Sequence, residues 1–164
     1  MTKETPTEAD VQDRLWKAIA DSHSGMLGVS GDENHFEPMT AFVERDDGRI
    51  WFFTYRTSDL AQAIAGGVEG AFIFQGKDVH ASVGGSLTLR HDAERIDRYW
   101  NVHVAAWYPE GKDDPRLTLI GLEVENAAVW ISEAGPLKYA FEVAKANMTK
   151  TTPDLGAHRE LNLQ

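Results

Sequence analysis

The sequence predicts a single domain over residues 1–164, mainly β with flanking helices, its strands closed into a barrel. Two observations point to the barrel. Between Met26 and Val124 the apolar residues fall in six short runs separated by turn formers: Met26 to Ser30, Phe36 to Arg45, Arg49 to Tyr55, Ala71 to Gln75, Val79 to Arg90 and Leu117 to Val124. Within the third run, Ile50-Trp51-Phe52-Phe53-Thr54-Tyr55 is apolar at almost every position, so both faces of that strand need cover. A barrel interior covers one face, and a helix or a second subunit must cover the other.

The first helix is expected over 7–22. Thr7 can cap it, Glu8 and Asp10 lie near the positive end of its dipole, and Val11, Leu15, Ala18 and Ile19 recur at helical spacing. Asp46-Asp47-Gly48 between two runs marks a hairpin, because Gly accepts the positive φ of a tight turn. Ser58 to Ile64 reads as a short helix with Thr57 or Ser58 as cap and Gly66-Gly67 as stop. Asp92 to Trp107 reads as one helical stretch across the barrel, and Pro136 to Ala146 as a last amphipathic helix. Residues 148–164 read as a polar C-terminal tail with little to pack.

Composition excludes several function classes. A net charge of −10 argues against nucleic acid and anionic membrane surfaces, both of which require clustered Lys and Arg. With no Cys there is no disulfide, thiolate metal site or Cys nucleophile, which suits a cytoplasmic protein, and no apolar run approaches a membrane span. The six histidines form no helical metal-binding pair. His35 and Glu37 share a strand face but lack a third ligand, so no metal site is expected. Neither a nucleophile elbow, a P-loop nor a dinucleotide fingerprint occurs.

The chemistry-bearing segment is Trp51-Phe52-Phe53-Thr54-Tyr55-Arg56-Thr57-Ser58, an aromatic strand running into a hydroxyl-rich turn that opens a helix. Hydroxyls, an Arg and free helix amides suit a phosphate, and neighbouring aromatic surface suits a flat ring. An aromatic core strand, an ordinary capped helix and a solvated Arg explain the same residues without a ligand.

Three segments carry a resemblance. His35-Phe36-Glu37-Pro38-Met39-Thr40-Ala41, Ile50 to Thr54, and Trp100-Asn101 through Ala105-Ala106-Trp107-Tyr108-Pro109-Glu110-Gly111-Lys112-Asp113-Asp114-Pro115 closely resemble the general stress protein branch of the pyridoxamine 5′-phosphate oxidase-like flavoproteins, in order and spacing over about Glu8 to Trp130. The resemblance implies a six-stranded split β-barrel and a homodimer that covers part of each barrel with its partner. It also implies FMN, or FAD, bound as a small-molecule cofactor at the subunit interface. It places flavin contacts on Glu37, Pro38, Met39, Thr40, Phe53 and Thr54, the phosphate approach on Arg56, Thr57 and Ser58, and further contacts on His80 and Trp107. Glu37 stands where the family often has Arg, and Asp59-Leu60 where the true oxidases carry an Arg-Lys pair, so positive charge is lost near the expected phosphate.

The implied function is that of an FMN-binding stress-type oxidoreductase of unknown substrate, its redox chemistry carried by the flavin, so that no catalytic acid or base is expected. The alternative is a flavin or planar-ligand binding protein without turnover. Pyridoxamine 5′-phosphate oxidation ranks below both.

Overall fold

The computed structural model describes residues 4–31, 33–132 and 135–164. They form eight strands and five α-helices. Helix α1 (Glu8–Ser22) begins with a reciprocal cap: the Asp10 amide donates to Thr7 Oγ1 at 3.2 Å and the Thr7 amide to the Asp10 carboxylate at 3.0 Å. The Thr7 hydroxyl, which donates to the Asp10 carboxylate at 2.7 Å, and the Thr7 amide hold that carboxyl below the usual carboxylate range. Its apolar stripe of Val11, Leu15, Trp16 and Ile19 is buried against the barrel.

Strands β1 (Ser24–Val29), β2 (Glu37–Thr40), β3 (Phe42–Glu44), β4 (Arg49–Tyr55), β5 (Val68–Gln75), β6 (Val79–Arg90) and β7 (Leu117–Ser132) pair antiparallel in the order β2-β1-β5-β6-β7-β4-β3. The two edges of that order, β2 and β3, are separated in the chain only by Ala41. One bent segment therefore pairs with β1 through its first half and β4 through its second, curling the sheet back on itself. The bend is pinned to the end of α1, where the Ala41 amide donates to His23 O at 2.6 Å and His23 Nδ1 lies 2.8 Å from Ala41 O. The interior is filled by alternate residues of each strand, with Phe52 and Phe72 in contact at its centre. Gly85 sits where the β6–β7 register shifts, and a Cβ there would lie 1.8 Å from Glu123 O, so the bulge requires glycine.

Strand β4 is buried on both faces, as its composition predicts, but the chain supplies both covers itself. Ile50 and Phe52 enter the barrel interior, while Trp51 and Phe53 enter a second cluster beneath α3 (Ala93–Tyr99) and α4 (Val102–Trp107), with Ile96, Val104 and Leu119. Of the two covers expected for this strand, the helix is the one that occurs, so the strand does not by itself demand a second subunit.

Three expectations are corrected. Eight strands replace six, because the run from Phe36 to Arg45 divides at Ala41 and a further strand lies at the C-terminus. The stretch from Asp92 to Trp107 is two helices, since the Asn101 side chain accepts from the amides of His103 and Val104, both at 2.9 Å, and so caps a new helix. Residues 148–164 are not a loose polar tail. Helix α5 (Pro136–Thr149) ends inside them, and β8 (Gly156–Asn162) pairs with the second half of β7, burying Leu161 in the core. The hairpin at Asp46 to Gly48 and the helix α2 (Asp59–Ile64) form where expected.

Candidate functional site

The turn from Tyr55 to Ser58 is rigid in its backbone and open in its side chains. The Arg56 amide donates to Arg116 O at 2.7 Å, the Ser58 amide to Tyr55 O at 3.0 Å, and Gln62 Nε2 to Arg56 O at 2.7 Å. The Ser58 hydroxyl accepts from the Ala61 amide at 3.1 Å, capping α2, and lies 2.9 Å from Thr54 Oγ1. Thr54 is buried, whereas Arg56 and Thr57 are exposed, and Arg56 enters no ion pair among the described residues. One free cation and one free hydroxyl are thus presented from a fixed turn at the barrel rim.

Behind the turn lies an aromatic wall. Phe53 packs edge-on against Phe42 and Trp100, at centroid distances of 5.7 and 5.9 Å, and Tyr55 meets Tyr108 at 5.0 Å. The ring of Phe53 is enclosed by these neighbours, so any part it has in a site is to support the rim. Burial, with the nearby Tyr55, pushes the Tyr108 phenol up to about 12. Arg116 lies 4.8 Å over the Tyr55 ring and forks onto Asp114, holding that carboxyl below its usual range. Trp107 is exposed at the end of α4, beside Tyr108, and so stands near the same rim.

The bent strand places Glu37 and Met39 half-buried on the interior side, Glu37 opposite Leu27, with Pro38 and Thr40 exposed outside. His80 is the residue that stands apart. Thr54 faces Thr118 at the start of β7, whereas His80 faces Trp130 near its end. At about 3.3 Å per residue, roughly 40 Å of strand separates them. His80 belongs instead to an outer row in which Trp130 stacks on His158 of β8, with centroids 4.7 Å apart and planes at 17°. The strand that carries His158 gives little signal in the sequence, because β8 has only one strongly apolar residue, Leu161.

The outer face of β1, β5, β6 and the second half of β7 is uncovered and weakly polar. Pro38, Met26, Ile73, Ser82 and Ala128 form one cross-strand row along it. Two surface depressions lie elsewhere. One of about 730 Å³ is bounded by Val29, Asn34, Asp59 and Gln62, and one of about 500 Å³ by α1 and the β5–β6 turn. Among the described residues no group of His, Asp and Glu could hold a metal ion, and no helix is long and apolar enough to cross a membrane.

An antiparallel barrel closed by one bent strand, with a helical flap over part of its outside, defines the split-barrel class. The chain belongs to the pyridoxamine 5′-phosphate oxidase-like family, whose sequence model matches residues 10–154. Three solved structures of general stress proteins are similar to it. One from Jannaschia sp. CCS1, described as general stress protein 26, is 31% identical with a TM-score of 0.80, over 94% of this chain and 99% of that one. A general stress FMN/FAD binding protein from Xanthomonas citri is 40% identical with a TM-score of 0.71, over 77% and 92%. A general stress family protein from Xanthomonas campestris pv. campestris is 39% identical with a TM-score of 0.71, over 80% and 93%. No curated protein matches the sequence.

Proposed function

We propose that the chain binds FMN, with FAD as the alternative, at the interface of a cytoplasmic homodimer and serves as a flavin-dependent oxidoreductase of the general stress type. The observation that carries the reading is its likeness to the Xanthomonas citri protein named for FMN/FAD binding. The geometry fits a phosphorylated flavin in two respects. Arg56 and Thr57 offer a free cation and hydroxyl from a turn already fixed by backbone hydrogen bonds, and Ser58 completes the hydroxyl set. The uncovered outer face supplies flat apolar surface through Met26 and Ile73.

The separation of His80 from the rim favours a site shared between subunits. In a two-fold dimer across the outer face whose axis runs perpendicular to the strands, opposite ends of the β6–β7 pair would meet, and the partner's His80 would approach the Arg56 turn. In this arrangement Arg56, Thr57 and Ser58 hold the phosphate, Pro38 and Thr40 flank the ring from the bent strand, Glu37 and Met39 support that strand from within, Phe53 and Thr54 fix the rim, and Trp107 limits solvent access. A bound flavin would supply electron transfer between a nicotinamide and a small acceptor. The chain's own part is to bind, orient and shield.

Titrating the purified apoprotein with FMN, FAD and riboflavin, followed by anaerobic addition of NADH or NADPH, tests this. Saturable FMN binding tighter than that of riboflavin, with bleaching by a nicotinamide, is expected. Binding without reduction would make the protein a carrier, and no binding of any flavin would overturn the reading.

A further inference from the structure

Helix α5 carries an apolar face that its own chain leaves bare. Leu137, Phe141, Ala144 and Met148 recur at i, i+4, i+7 and i+11 and so form one stripe. Leu137 is 89% exposed, Phe141 65% and Met148 84%. Ala146 is the one buried residue of the helix. Helices of this length are marginal in water unless an apolar face is packed, so the stripe calls for a partner surface. Further bare apolar residues lie at the two ends of α4, where Val102 and Trp107 are each 80% exposed.

Helices α4 and α5 sit at opposite ends of one strand pair. β6 and β7 run antiparallel from Val79 opposite Ile131 to Arg90 opposite Leu119. Helices α3 and α4 make the connection at the Arg90 end, and α5 follows β7 at the Ser132 end. A two-fold axis lying in the plane of the outer face and perpendicular to these strands would exchange those ends, and so set α5 of each copy against α4 of the other. Charge agrees with the pairing. In a chain of net charge −10, α5 carries Lys138 and Lys145 against the single acid Glu142, while Glu110 and Asp113 stand exposed in the turn after α4.

We propose that α5 is an exchanged arm, its Leu137–Phe141–Met148 stripe packing on Val102 and Trp107 of a second copy of this chain. The proposal rests on the two-fold dimer of the preceding section. It would also place a cover over the partner's rim, since Trp107 adjoins the aromatic wall behind the Arg56 turn. A basic helix with an apolar face could instead lie on anionic lipid, but a body of net charge −10 opposes that surface.

The absence of cysteine makes the test direct. Val102→Cys and Phe141→Cys are introduced on separate, differently tagged copies, co-expressed, and treated with a short bismaleimide. A cross-link joining the two tags, exceeding that formed by either variant with itself, is expected, and Leu137→Asp should weaken self-association measured by sedimentation at least tenfold. A two-chain mass with no mixed cross-link, or an unchanged mass distribution for Leu137→Asp, overturns the arm and leaves the dimer standing. A one-chain mass for the unaltered protein overturns the dimer and the arm together. Co-sedimentation with phosphatidylglycerol vesicles that Phe141→Asp abolishes would make lipid the occupant and overturn the proposal.

Discussion

Arg95 donates to both carboxylate oxygens of Glu44, from Nε at 3.2 Å and from Nη2 at 3.0 Å, while its guanidinium lies 4.7 Å from the centre of the Trp51 ring. Glu44 also receives Arg98 at 2.8 Å and the Tyr99 hydroxyl, and Arg95 reaches Asp92 at 2.6 Å. This network ties α3 to β3 through Glu44 and lays Arg95 over Trp51 on the outer face of β4, which explains how Trp51 and Phe53 are buried without help from another subunit.

Arg95→Ala should therefore cost more than a surface ion pair. Both side chains are largely shielded, and removing Arg95 takes the forked partner from Glu44, which keeps only Arg98 and the Tyr99 hydroxyl, and the cation from Asp92, a loss of roughly 1.5–3 kcal/mol. A lowered urea midpoint with an unchanged slope would show it, and a shift no larger than that of a surface pair would contradict it.

The same pair sets an acid limb. Burial alone would raise the Glu44 carboxyl, but hydrogen bonds from Arg95 and Tyr99 outweigh it and hold the group below its ordinary range. Its contribution is present at neutral pH and is lost as pH falls through the depressed value. In thermal melts from pH 7 to pH 3, Glu44→Gln should begin less stable and lose less on acidification than the parent.

Tyr108 predicts an alkaline limb of opposite sign. With its phenol pushed up to about 12, the unfolded chain releases this proton first, so stability falls as pH rises from about 10. Tyr108→Phe should flatten the decline, read by unfolding midpoints between pH 9 and pH 11. Identical declines in both proteins would rule out a buried phenol.

The C-terminal strand predicts a large truncation effect. Leu161→Ala should cost about 2–5 kcal/mol as a buried large-to-small change, and deletion of residues 156–164 should cost more by baring the second half of β7. Unchanged cooperative unfolding of the deletion would show β8 to be dispensable.

Arg56→Ala tests the proposed phosphate contact. Hydrogen bonds to charged groups contribute roughly 1.5–3 kcal/mol, so FMN binding should weaken on the order of ten- to a hundredfold while riboflavin, which lacks the phosphate, is nearly unaffected. Equal losses for both ligands would place the phosphate elsewhere.

The sequence by itself determined what depends on near neighbours. The capped start of α1, the hairpin at Asp46 to Gly48, the bounds Val79–Arg90 of β6 and the doubly apolar strand Arg49–Tyr55 all rest on local periodicity, capping side chains or turn geometry. Only the tertiary structure decided which elements share a boundary. It showed that α3 and α4 cover β4, that Ala41 divides one strand between two partners, and that His80, Trp130 and His158 fall in one row. The reason is physical: a strand such as β8, with one apolar anchor at Leu161, is held by backbone bonds to a distant edge, and backbone groups carry no sequence signal. The same holds for the candidate site, whose turn at Arg56 to Ser58 is legible in residue types, while its distance from His80 is set by the length and register of β7.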